Sequence, residues 1–163
     1  MDNKLVKKTV RLLRQDNLVC CSDGSVNFGC AAHRGTAPVD GPASALNSTR
    51  AEIMGIIACV SFVTLLSKKF GFQNKTIVLY TDSEASISCA TMTGLYSTKY
   101  SFHTDVDAIL ELQECLTHCP HTILLEHVEG HQNKHTLYHL LDFKGKLNVQ
   151  MDRLADKFIR LNS

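Results

Sequence analysis

Apolar residues recur with the period of an α-helix in the longest patterned stretch of the chain. Between residues 48 and 69, apolar side chains return every three or four positions, at Ile53, Ile56, Ile57, Val60 and Val63. This spacing puts them on one helix face and predicts a long helix that packs against a core. Shorter helices are predicted over 83–90, over 105–118, where Pro120 ends the pattern, and over 149–161.

Short apolar runs predict the strands. Residues 18–34 predict two strands joined by a turn at Asp23-Gly24-Ser25, and a third strand is expected around 43–46. The β-branched run 75–81 predicts a central strand, 122–128 predicts another, and 129–147 is a polar loop. The element order is β-β-β-α-β-α-α-β-α, so the predicted fold class is α/β with a mixed sheet.

The N-terminal segment is basic. Its five cations alternate with apolar positions at helical spacing: Lys4, Lys7, Lys8, Arg11 and Arg14 are interleaved with Val6, Val10 and Leu13. Two interpretations stay open, a solvated helix face and an arm that contacts phosphates. We assign residues 1–16 to this basic segment and residues 17–163 to one folded domain.

Charge and cysteine content narrow the function classes. The net charge of the 163-residue chain is +1, so any basic surface for nucleic acid must be local. Seven cysteines, an odd number without CxxC spacing, indicate buried thiols rather than a disulfide framework. We find neither an apolar run long enough to span a membrane nor a signal-peptide core. We therefore expect an intracellular monomer, in the nucleus or cytoplasm, without a membrane partner.

Four acidic residues close strands or stand near helix starts: Asp23, Glu52, Asp82 and Asp152. Each also suits a local role, as a turn residue, a capping-box acid, an N-cap and a first-turn acid respectively. Asp23 and Asp82 end strands expected to be neighbours, which indicates that the four converge. Converging carboxylates repel one another unless divalent cations neutralise them, and hard Mg²⁺ prefers carboxylate oxygens. The pattern therefore predicts metal-assisted chemistry on a phosphate ester.

The residues around these acids resemble the motifs of the ribonuclease H family. The matching segments are Ser22-Asp23-Gly24-Ser25, Thr49-Arg50-Ala51-Glu52-Ile53-Met54, Tyr80-Thr81-Asp82-Ser83, Gly130-His131 and Asn148-Val149-Gln150-Met151-Asp152-Arg153-Leu154-Ala155. Each motif is weak alone, but together they stand in the family's order from about residue 17 to residue 161. The segment Val128-Glu129-Gly130-His131-Gln132, followed by Leu147-Asn148-Val149, is most similar to ribonuclease H domains of eukaryotic retroelement reverse transcriptases.

The resemblance implies a five-stranded mixed sheet in the order 3-2-1-4-5, flanked by helices. It implies an endonuclease that hydrolyses the RNA strand of RNA–DNA hybrids and leaves 5′-phosphate and 3′-hydroxyl ends. In that family the positions of Asp23, Glu52, Asp82 and Asp152 hold two Mg²⁺ ions, which Mn²⁺ can replace, and His131 matches a histidine that assists proton transfer or product release. The expected partners are the hybrid and, within a longer polyprotein, a reverse transcriptase polymerase domain.

Two features depart from the compact cellular members of the family. The loop between His131 and Asp152 is longer, and the segment from Thr98 to Thr104 carries no basic protrusion of the kind that some members use to grip the hybrid.

Discrimination between RNA and DNA requires contacts to the 2′-hydroxyl. The candidates are the side chains beside Glu52 and the backbone after Asp23, namely Asn47, Ser48, Thr49, Gly24 and Ser25. Ser48 and Thr49 are equally suited to capping the helix that follows. Asn148, four positions before Asp152, is suited to capping the last helix or to contacting nucleic acid.

Other functions stay open. The same fold serves integrase-type and resolvase-type nucleases, although the long separation of Asp82 and Asp152 favours ribonuclease H. A catalytically inactive nucleic-acid-binding domain is a further alternative, although none of the four acids is missing. Two groups also resemble zinc ligands in spacing, His131, His135 and His139, and Cys115, His118, Cys119 and His121.

Overall fold

The structure is a computed structural model that describes residues 3–23, 27–30, 33–36, 48–92 and 104–162. Its elements in chain order are α1 (Asn3–Arg14), β1 (Val19–Asp23), β2 (Asn27–Cys30), β3 (His33–Thr36), α2 (Ser48–Phe70), β4 (Thr76–Thr81), α3 (Glu84–Thr91), α4 (Val106–His118), β5 (Thr122–His127) and α5 (Phe143–Asn162). Two short 3₁₀ turns, Gln132–Lys134 and Tyr138–Leu140, lie between β5 and α5.

The sheet requires a correction to the predicted fold class. The sheet that packs with the five helices is three-stranded and all-parallel, with β4 between β1 and β5, so the predicted five-stranded mixed sheet was wrong. The backbones of β2 and β3 continue the pairing antiparallel beyond β1, in the order β3-β2-β1-β4-β5. These two strands have four residues each.

The strands β1 and β4 are covered on both faces. On one face, Cys20, Ile77 and Leu79 pack in the main core with α2 and α4. On the other face, Cys21 packs with Leu147 and Met151 of α5. Because side chains alternate along a strand, the near-continuous apolar runs of β1 and β4 are typical of strands covered on both sides.

The longest helix, α2, is a core helix. Twelve of its residues are buried, Ile53, Ile56 and Val63 among them, as the apolar spacing predicted. By length and composition alone its 23 residues are also apolar enough to cross a membrane, so the expectation that no segment is long enough was wrong. Its burial against the sheet accounts for that composition.

Two predicted boundaries need correction. The third strand was expected around 43–46, which lies outside the described residues, and β3 occupies 33–36 instead. The last helix begins at Phe143 rather than at 149. Its first turn is capped by Asp142, whose Oδ1 accepts the Gly145 N–H at 2.8 Å, although Gly145 and the lysines beside it are typical of a loop.

His121 joins the start of β5 to α2 and β4 from a buried position. Its Nδ1 accepts the Lys75 backbone N–H at 3.2 Å, so Nε2 carries the proton and donates to Ser67 Oγ at 2.6 Å. Burial, together with the nearby Lys75 ammonium, lowers the pKa of His121 from its usual value of 6.5. The fold therefore favours the neutral ring.

We expect this histidine to make folding stability depend on pH. The lowered pKa means that the unfolded chain binds a proton first, so stability is complete above pH 6.5 and is lost as the pH falls towards the folded pKa. His121→Gln should flatten this dependence and cost about 1–3 kcal/mol at neutral pH, because buried hydrogen-bond partners lose their geometry. Urea unfolding of both proteins at pH 5.5 and pH 7.5 measures it, and equal pH dependence in both would contradict the assignment.

Candidate active site at the carboxyl ends of the parallel strands

The register of the parallel strands brings two of the predicted acids to the same edge of the sheet. β1 pairs with β4 so that Val19 lies opposite Val78 and Cys21 opposite Tyr80. Continued by two residues, this register sets position 23 beside position 82 at the carboxyl ends of their strands. The backbone of Asp23 is described, whereas its side chain lies outside the described part. Ligand sites of α/β sheets are found at this edge.

Glu52 is tied to the end of β4. Its side chain is buried, with the residue 6% exposed, and its Oε2 accepts a hydrogen bond from Thr81 Oγ1 at 3.1 Å. The same Thr81 oxygen accepts the Ser83 backbone N–H at 3.3 Å. One threonine therefore links the N-terminal part of α2 to the chain on both sides of Asp82. A buried carboxylate held by a hydrogen bond keeps one orientation, which suits a ligand oxygen.

Asp82 lies against the backbone of Gly130. A β-carbon at Gly130 would lie 2.6 Å from Asp82 Oδ2, which is closer than real side chains approach. The Val128 N–H donates to Thr81 O at 3.0 Å and holds this chain beside the end of β4. Gly130 has no positive φ, so the requirement for glycine comes from the space occupied by the carboxylate rather than from backbone strain.

His131 and Asp152 form a pair at the mouth of the site. His131 Nδ1 lies 3.5 Å from Asp152 Oδ2, with the histidine side chain 64% exposed and the aspartate side chain 13% exposed. His131 has a left-handed backbone with φ of 51°, which turns the chain after Gly130 towards α5. The histidine is therefore open to solvent while contacting a largely buried acid. This arrangement suits the exchange of protons between the site and water.

Asn148 does not cap the last helix, because α5 begins five residues earlier. It is 1% exposed, and its Oδ1 accepts a hydrogen bond from the Cys21 thiol at 3.7 Å. It therefore fixes α5 to β1 next to the strand end that carries Asp23. In this position it lies within the protein rather than on a surface that nucleic acid reaches.

The structure brings the predicted acids to one region in pairs. Thr81 links Glu52 to the chain before Asp82, and Gly130 and His131 link Asp82 to Asp152. Within the described residues, no three His, Cys, Asp or Glu side chains form a ready metal-ligand group. The donors nevertheless fit Mg²⁺ chemically, since all are carboxylate oxygens, and glycine at position 130 leaves room beside Asp82.

The predicted substrate contacts are partly described. Gly24, Ser25 and Asn47 lie outside the described residues. Ser48 and Thr49 begin α2 and line a cavity of about 470 Å³ between the starts of α2 and α4 and the helix α3, whose other lining residues are Ala85, Ser88, Cys89, Met92, Thr104 and Asp105. Both hydroxyls thus stand beside open space one turn before Glu52.

Arg50, for which the sequence predicted no role, is buried between α2 and α4. Its two terminal nitrogens donate to the two carboxylate oxygens of Asp107 at 2.9 and 2.6 Å, and Asp105 lies 3.8 Å away. The hydrogen bond from Arg50 lowers the pKa of Asp107 to about 2. This pairing fixes the first turn of α2, and with it Glu52. The available signal was the helical spacing of Arg50 and Ile53, which puts the arginine on the buried face.

Neither of the two groups with zinc-like spacing, the three histidines and the cysteine–histidine cluster, has the arrangement of a zinc site. His131, His135 and His139 are exposed and do not share one helix: His131 and His135 flank the first 3₁₀ turn, and His139 lies in the second. The His121 ring is occupied by Ser67 and Lys75, and His118 Nδ1 lies 2.9 Å from Glu114 O. No disulfide joins the six cysteines whose side chains the structure describes.

Comparison with known proteins leaves the chain without an assigned family. No protein-family model matches it, and no curated protein matches it.

Proposed function

We propose that this chain is a metal-dependent endonuclease of the ribonuclease H type, which hydrolyses the RNA strand of RNA–DNA hybrids. The observation that carries the proposal is the meeting of acidic positions at one sheet edge. The β1–β4 register, when it is continued by two residues, pairs position 23 with position 82, and Thr81 bonds Glu52 at the same strand end. The His131–Asp152 pair lies next to them through Gly130.

Asp23, Glu52, Asp82 and Asp152 would hold two Mg²⁺ ions. When bound, such a pair supplies hydroxide near neutral pH and offsets the charge that develops on the phosphate. The protein contributes orientation, since Thr81 fixes Glu52 and Gly130 allows the observed position of Asp82. It also contributes a proton carrier, because His131 contacts Asp152 on one side and water on the other. Cleavage in this manner leaves a 5′-phosphate and a 3′-hydroxyl.

The start of α2 supports a choice of RNA over DNA. Ser48 is exposed and Thr49 half-buried, and both border the cavity next to the turn that carries Glu52. A hydroxyl here can exchange hydrogen bonds with a ribose 2′-hydroxyl, which deoxyribose lacks. The RNA strand would then lie over the acids and α2.

The testing experiment measures Mg²⁺-dependent cleavage of an end-labelled RNA–DNA hybrid, with RNA duplex and DNA duplex of the same sequence as controls. The proposal expects cleavage only of the RNA strand in the hybrid, with product ends that carry 5′-phosphate. Cleavage of duplex DNA would instead indicate an integrase-type or resolvase-type enzyme. Hybrid binding without any cleavage would indicate an inactive binding domain.

Replacement of His131 separates proton transfer from metal binding. His131→Asn removes the imidazole but keeps a residue that tolerates the left-handed backbone. We expect kcat to fall about tenfold to a hundredfold, because a positioned proton carrier contributes about that much or more. The measurement is steady-state cleavage of the hybrid.

The matched control for this variant is His135→Asn, an exposed histidine of the same loop. It should cleave as wild type does. If His131→Asn keeps the wild-type rate, His131 takes no part in the reaction.

A further inference from the structure

Helix α1 has a buried face and an opposite basic face. Thr9, Val10 and Leu13 are buried, and Leu13 belongs to the main core. The exposed face carries the five cations at successive helical turns, Lys4, Lys7, Lys8, Arg11 and Arg14, and the helix contains no acidic residue. We call these five residues the α1 basic face. Cations three and four positions apart share one side of a helix, so they form a single stripe.

The helix that carries the α1 basic face is anchored to the rest of the domain. After α1 the chain turns at Asp16, which has a φ of 54°, and the N–H groups of Asp16 and Asn17 donate back to Leu13 O and Leu12 O. This pairing is the Schellman arrangement, which ends a helix in a defined direction. Asp16 also pairs with Lys75 at 2.7 Å, at the start of β4. α1 is therefore anchored to the domain as a rigid element.

Four cations of this face, Lys7, Lys8, Arg11 and Arg14, have no ion-pair partner among the described residues. Since the whole chain has a net charge of only +1, this face is a local concentration of charge in a nearly neutral protein. Such a surface attracts a polyanion over a distance of about a Debye length.

The packing of α1 favours a nucleic acid over an anionic membrane as the polyanion that this face binds. Interfacial membrane helices insert their apolar face among lipid chains. In α1 the apolar positions Val10 and Leu13 are already buried in the protein, so only the charged face is available. A helix rises about 1.5 Å per residue, so the stripe spans about 15 Å, which corresponds to about four phosphates of one strand.

We propose that the α1 basic face binds the sugar-phosphate backbone of duplex nucleic acid without sequence preference, at a place separate from the acidic site. The separation follows from the topology, because α1 ends at the amino end of β1 whereas the acids lie at the carboxyl ends of the strands. The inference goes beyond the proposed cleavage and does not depend on it. A second contact of this kind would hold a long duplex on the protein.

The test compares two matched pairs of charge-removing substitutions. One variant carries Lys7→Gln and Lys8→Gln, and the control carries Lys68→Gln and Lys69→Gln, an equally exposed lysine pair at the end of α2. A further variant adds Arg11→Gln and Arg14→Gln to the α1 pair. All are made in an Asp82→Asn background so that the probes stay intact, and unfolding midpoints confirm that the exposed changes leave the fold unchanged.

The probes are a long RNA–DNA hybrid and a DNA duplex of equal length, titrated at several salt concentrations. Each lost phosphate contact makes the negative slope of log association constant against log salt concentration shallower by about 0.9. We therefore expect the slope to become shallower by roughly two for the α1 pair and by roughly three to four for the fourfold variant. At low salt, the Kd of the fourfold variant should rise at least about tenfold. The α2 pair should behave as the background protein does.

Equal slopes for the α1 and α2 pairs would overturn the proposal. So would unchanged duplex binding combined with lost binding to phosphatidylserine vesicles, since that result would assign the face to lipid headgroups. The outcome is independent of the proposed function. Binding that depends on α1, in a protein that cleaves no nucleic acid, would support this inference alone. Cleavage by a protein whose duplex affinity does not depend on α1 would support the proposed function alone.

Discussion

Asp82→Asn is expected to lower Mg²⁺-dependent cleavage of the RNA strand by about a thousandfold or more, without loss of the fold. The substitution keeps the shape of the side chain and removes its charge. A metal ligand and the field it supplies are together worth several kcal/mol in the transition state, and each 1.36 kcal/mol is a factor of ten in rate. The measurement is single-turnover cleavage of the labelled hybrid at saturating Mg²⁺.

A second readout for Asp82→Asn does not depend on activity. Mg²⁺ that binds only the folded protein raises its unfolding midpoint, and weaker binding in the variant should reduce that rise. The matched control is Glu84→Gln. It also removes one negative charge, two residues further along the chain, from a side chain that is 82% exposed. Wild-type cleavage by Asp82→Asn, or an equal loss in Glu84→Gln, would contradict the assigned role of Asp82.

The sequence predicted the helix that carries Glu52 and the strand that precedes Asp82, because their apolar residues recur in a clear pattern. The spacing of Ile53, Ile56 and Val60 predicted which face of α2 packs on the sheet, and Glu52, which directly precedes Ile53, therefore lies at the end of β4. The strand over 75–81 was equally clear, since a β-branched run covered on both faces has few alternatives. These two predictions were sufficient to bring Glu52 and Asp82 into one region.

The connections between these elements were harder to predict, because they depend on contacts between residues far apart in sequence. The hydroxyl of Thr81 is typical of any strand, and nothing in the motif indicates that it binds Glu52. A charged residue such as Arg50 in a first turn is usually solvated, and it is buried here only because Asp107, 57 residues later, receives it. Such pairs are tertiary and leave no local pattern.

The sheet and the last helix were mispredicted for different physical reasons. The five-stranded mixed sheet was implied by the family resemblance, whereas the sheet is three-stranded and all-parallel, and its described core residues lie in β1, β4 and β5. The start of α5 was missed because a glycine between two lysines is typical of a loop. A cap from Asp142 offsets the low helix propensity of Gly145, and propensity is only a weak guide where tertiary contacts compete.

Gly130→Ala is expected to damage the site more than the fold. The added β-carbon would lie 2.6 Å from Asp82 Oδ2, so the carboxylate must turn away or the chain after β5 must shift. The cost in folding free energy is about 1–3 kcal/mol, as for other overpacked sites. A displacement of about 1 Å at a reacting group lowers the rate by about a hundredfold. Single-turnover cleavage and urea unfolding of the same preparation measure the two effects.

The matched control for this substitution is Gly145→Ala. There the β-carbon would lie 2.8 Å from Gln132 Oε1, the end of a long side chain that can move, and alanine favours the helix, so activity should stay near wild type. The stability cost of Gly130→Ala should also largely disappear in an Asp82→Ala background, because the carboxylate that it meets is gone. A cost that persists there would mean that the backbone, rather than Asp82, requires glycine at position 130. Full activity in Gly130→Ala would mean that the observed position of the Asp82 carboxylate is not the one used in catalysis.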